Sequence, residues 1–67
     1  MAIVDVVLTI VGYRPGITDD QLAFAIFGRR RGELVGLECN HLVELGELER
    51  RWRKDGLIGN YRVHPFY

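Results

Sequence analysis

The chain contains no serine, a single cysteine and two prolines among its 67 residues, and its basic and acidic groups cancel at nine each. The missing serine removes the commonest hydroxyl nucleophile. Cys39 has no second cysteine to bridge to, which excludes an intramolecular disulfide and fits a reducing, cytoplasmic setting better than a secreted one. The longest apolar stretch, Val6 to Val11, is interrupted by Thr9 and falls far short of the roughly 20 residues that span a bilayer, so no membrane partner is expected. No basic start precedes it, since Asp5 stands where a targeting segment would carry Lys or Arg. A chain of this size makes one small domain, 1–67, whose core leaves little room for a catalytic cavity.

Catalytic and metal chemistry find no foothold either. Cys39 and His41 are two positions apart, about 200° around a helix, and cannot converge. His64 is isolated, no glycine-rich loop precedes a helix to hold phosphates, and the paired carboxylates Asp19 and Asp20 are accounted for by helix capping. A non-enzymatic protein without cofactor or metal is therefore expected.

What the chain does carry is charge sorted into blocks. Arg29, Arg30 and Arg31 form one basic block and Arg50, Arg51, Arg53 and Lys54 another, while acidic groups gather between Glu33 and Glu49. A neutral chain can thus keep a local basic footprint.

Residues 3–13 are rich in β-branched side chains, which favour a strand. Asp5, Thr9 and Gly12 nevertheless recur at i, i+4 and i+7 opposite Ile3, Val6, Val7, Ile10 and Val11, and this period predicts a helix. Arg14-Pro15-Gly16 ends it. A second helix, 19–27, follows from Thr18 as N-cap, Gln21 as its capping-box partner, Ile17 and Leu22 as a hydrophobic staple, and Gly28 as a left-handed stop. Its predicted core stripe is Leu22, Ala25 and Ile26, with Phe24 either packed under the first helix or exposed. A third helix, 33–45, buries Val35, Cys39 and Leu42, is flanked by Leu34, Glu38 and Leu45, and stops at Gly46.

Beyond Gly46 the period becomes two, and Asp55-Gly56 signals a hairpin over 48–63. A two-residue turn there pairs Leu48 with Val63, Glu49 with Arg62, Arg50 with Tyr61, Arg51 with Asn60 and Trp52 with Gly59. Leu48, Trp52, Tyr61 and Val63 then face the core, and Arg51, Arg53 and Arg62 face solvent. An aromatic end, His64-Pro65-Phe66-Tyr67, follows.

Three helices and a terminal basic hairpin make an α+β, mainly α chain. Through PGITDDQLAFAI and CNHLVELGELERRWRKDGLIGNYRV it resembles the winged helix-turn-helix DNA-binding domains of bacterial and archaeal transcription regulators over residues 3–63. The resemblance implies that helix 33–45 enters the major groove and the hairpin, the wing, lies on the sugar–phosphate backbone or in the minor groove. It implies double-stranded DNA as partner and a second copy of the chain in a dimer.

Within that frame Arg29, Arg30 and Arg31 would hold phosphate at the start of the third helix, or be a solvated turn. Arg51, Arg53, Lys54 and Arg62 would make a basic wing face, or protect a strand edge. Asn40 suits adenine and His41 a guanine acceptor or a phosphate, or both are plain helix surface. The exposed positions of the third helix hold no Lys or Arg, and Glu33, Glu38 and Glu44 oppose phosphate. That acidity favours a second expectation, a winged helix that binds protein through Leu37, Phe24 or the Phe66-Tyr67 tail.

Overall fold

The computed structural model describes residues 3–29 and 31–64. Arg30 and the Phe66-Tyr67 tail lie outside the described residues. Three helices, α1 (Ile3–Tyr13), α2 (Asp19–Phe27) and α3 (Gly32–Glu44), precede a two-stranded antiparallel hairpin of β1 (Leu48–Trp52) and β2 (Ile58–Arg62). The topology is α+β and winged-helix-like. None of the helices described is long and apolar enough to cross a membrane.

Helical period wins over β propensity in α1. Asp5 and Thr9 are exposed, Val7 and Val11 are fully buried, and Ile3, Val4, Leu8 and Ile10 pack around them. Both ends of α2 form as its local sequence dictates. Thr18 Oγ1 accepts from Gln21 N at 3.2 Å, Gln21 Oε1 accepts from Thr18 N at 3.0 Å, and Gly28 closes the helix at φ 72°. Gly46 stops α3 in a Schellman arrangement, with Gly46 N donating to Val43 O and Glu47 N to Leu42 O.

The buried face of α2 differs from expectation. Leu22 and Ala23 are fully buried, Ile26 is half-buried, and Ala25 and Phe24 are exposed. From Leu22 to Phe27 every side chain is apolar, so the sequence carries no period there. Packing against α3 decides which stripe turns inward.

The hairpin register also differs, by one residue. Leu48 pairs with Arg62, Glu49 with Tyr61, Arg50 with Asn60, Arg51 with Gly59 and Trp52 with Ile58. A two-residue type I′ turn needs positive φ at both Asp55 and Gly56. Only Gly56 adopts it, at 84°. The loop instead has three residues, closed by Arg53 N to Leu57 O at 2.7 Å and Gly56 N to Arg53 O at 3.1 Å, with Asp55 Oδ1 accepting from Leu57 N. The shift turns each side chain of β2 over. Asn60 and Arg62 take the inner face, whereas Tyr61 moves outside beneath Arg51 and Val63 becomes exposed. Arg62, expected in solvent, donates to Leu8 O and His64 O.

The link between α1 and α2 is tied to this hairpin. Gly16 N donates to Asn60 O at 2.8 Å and Asn60 N to Ile17 O at 2.9 Å, a one-residue bridge alongside β2.

Cys39, Val35 and Leu42 form the buried stripe of α3 as expected. Burial, reinforced by the carboxylate of Asp19, pushes the Cys39 thiol from 9.0 up to about 12. Because the folded state holds this proton more tightly, the thiol's contribution to stability is complete below pH 9 and is lost as pH rises toward about 12. A thiol reagent at pH 8 should accordingly label the native protein only at the rate of its opening, and label it at once in denaturant. Stoichiometric labelling within the mixing time would contradict this burial.

Candidate interaction groove

Asp19, the first residue of α2, holds α2 to the hairpin. Its Oδ2 accepts from Arg50 Nη2 at 2.7 Å and its Oδ1 from Asn60 Nδ2 at 2.9 Å, while Asn60 Nδ2 also donates to Ile17 O at 3.0 Å. Asn60 is completely buried and the Arg50 and Asp19 side chains are only 20% and 23% exposed. This network ties the start of α2 to both strands of the hairpin.

Between them lies an open groove of about 540 Å³, with Leu37 and Asn40 of α3 on one side and Trp52, Leu57 and Ile58 of the hairpin on the other. Leu37 is 71% and Trp52 75% exposed, and Leu57 and Ile58 are also open to solvent. Asp20 and Glu33 add carboxylates to its lining, and Arg50, its one lining cation among the described residues, is occupied by Asp19. The carboxylate of Asp20 sits against Gly32, at the start of α3, where the helix dipole favours negative charge and no side-chain cap is made.

Apart from Arg50, the cations singled out from sequence do not line this groove. Arg29 and Arg31 are exposed in the α2–α3 connection, Arg31 standing 5.8 Å over the Phe27 ring. Arg51 and Arg53 alternate with Arg50 and Trp52, so they project from the opposite face of the hairpin. Arg51 lies 4.0 Å over Tyr61 and 3.6 Å from Glu49. Arg53 is engaged by Asp55 Oδ2 at 2.7 Å and Gly16 O at 2.9 Å. A smaller polar concavity between Arg14, Gln21, Arg53 and Tyr61 lies on that side. Lys54 is exposed in the turn, Arg62 is tucked toward α1, and Asn40 and His41 are both exposed on α3.

Sequence reasoning missed Leu57 and Ile58 and assigned Trp52 to the core. The available signal was the apolar pair directly after the turn, at a hairpin tip too far out to reach a core. No family model, curated protein or solved structure matches the chain. Among the described residues no group of three or more His, Cys, Asp or Glu side chains is placed to hold a metal.

Proposed function

We propose that this domain is a protein-docking module that uses the groove between α3 and its wing. The observation that carries the reading is the chemistry of that groove: Leu37, Trp52, Leu57 and Ile58 exposed together, with Asp20 and Glu33 beside them. Contiguous exposed apolar surface of this kind marks interaction sites, and side chains such as Trp are favoured anchors of protein interfaces. A phosphate backbone laid in the same place would meet carboxylates and no free cation among the described residues, which removes the term that dominates DNA affinity.

Double-stranded DNA binding, as in a winged helix-turn-helix regulator, is the second reading. It is favoured by Arg29 and Arg31, exposed just before α3, and by Asn40 and His41, exposed farther along it.

Trp52 is the sole tryptophan and reports the groove directly. Titration with a cationic amphipathic helical peptide should shift its emission to the blue and saturate, whereas duplex DNA at low salt should leave it unchanged. Duplex binding that weakens steeply with salt and is lost in Arg29→Ala/Arg31→Ala would overturn docking in favour of DNA.

A further inference from the structure

Resting on the docking reading, we infer that the occupant of the groove is a second copy of this chain, and that the part which enters is the C-terminal end of α2. That end has the complementary chemistry. Phe24 and Phe27 are exposed at 52% and 37%, Gly28 ends the helix, Arg31 stands over the Phe27 ring, and Arg29 is a second exposed cation next to Gly28. The groove offers the counterpart, an apolar floor with Asp20 and Glu33 beside it. Aromatic side chains would fill the space between Leu37 and Trp52, and the arginines would meet the carboxylates.

The two patches are neighbours on one surface. Asp20 lies in the first turn of α2 and Phe27 closes the helix, about 10 Å apart along the axis at 1.5 Å per residue. Arg31, Gly32, Glu33 and Asp20 line a shared concavity between them. Adjacent complementary patches are what an isologous two-fold contact requires, because an axis through their seam carries each knob into the other copy's groove. The exact balance of nine cations against nine anions, sorted into separate blocks, leaves no long-range repulsion between copies.

Two charge-reversed variants test this in sedimentation, with Trp52 emission recorded alongside. The wild-type chain should dimerise with rising concentration while its emission moves to the blue. Asp20→Lys/Glu33→Lys makes both patches basic, and Arg29→Glu/Arg31→Glu makes both acidic, so each alone should associate at least tenfold more weakly. Mixed together they should form a dimer, since each knob then opposes a groove of the other sign. Phe24→Asp, at an exposed position away from both helix starts, should abolish association while leaving the helical circular dichroism intact, which separates loss of contact from loss of fold. Wild-type chains that stay monomeric at millimolar concentration overturn the inference. If those monomers still bind the cationic peptide with a Trp52 shift, the docking reading survives; if they bind nothing, both fall. Variants that dimerise as well as the parent also overturn it.

Discussion

Replacing Asp19 by Ala is expected to lower folding stability by about 3 kcal/mol, or roughly 12–24 °C in melting temperature for a domain of this size. Two side-chain partners lose their acceptor at once. Arg50, only 20% exposed, would keep a guanidinium in a partly desolvated site with no carboxylate opposite, and one donor of its head group, Nη1, already has no hydrogen-bond partner. The fully buried side chain of Asn60 would retain only the bond from Nδ2 to Ile17 O. Removing one partner of such a pair costs far more than the pair contributes, because the other stays behind. The position is also the first of α2, where a carboxylate favours the helix dipole. Against a total of about 3–10 kcal/mol for 67 residues, the loss is enough to populate the unfolded state. Urea denaturation of Asp19→Ala, with Asp20→Ala as the exposed comparison, measures it. A loss under 1 kcal/mol would show that the Arg50 contact behaves as an ordinary surface ion pair.

Gly59→Ala should be nearly as damaging, at about 3 kcal/mol, although only a methyl group is added. A Cβ on Gly59 would stand 2.7 Å from Gly16 O and 2.9 Å from Gly16 Cα. Both are backbone atoms and cannot rotate aside. Gly16 is held at φ 89° by its bond to Asn60 O, so relief requires the α1–α2 link to lift off the hairpin. Glycine at 46 provides the contrast: a Cβ there meets nothing within 4 Å, and Gly46→Ala should cost only about 1 kcal/mol for the left-handed φ of 77°. Thermal melts of the two variants separate crowding from backbone strain. Equal losses would show that the link moves freely.

These two positions also mark what sequence could and could not reveal. The capping box of Thr18 and Gln21, the glycine stops at 28 and 46, and the buried stripe of Val35, Cys39 and Leu42 were all legible, because each rests on interactions within one turn or one helical period. A two-residue turn makes Asn60 an ordinary hairpin position opposite Arg51, and it is instead the fully buried acceptor and donor that joins β2 to the α1–α2 link. Of the groove, Leu37 and Asn40 of α3 are legible in the sequence, while the hairpin register hides Ile58 in its other wall.

The sequence by itself determined the element order, the helix termini and the stripe of α3 that is buried, since capping, glycine φ and amphipathic period act locally along the chain. Tertiary structure alone decided the hairpin register, the face of α2 that packs, and the inward turn of Arg62 and Asn60. One residue of loop length inverts every side chain of a strand, and neither the charge nor the hydrophobicity of those side chains records which loop will close. The hairpin therefore brings Ile58 to the face that carries Trp52 and turns Asn60 and Arg62 inward, because a single left-handed glycine, Gly56, closes a three-residue turn.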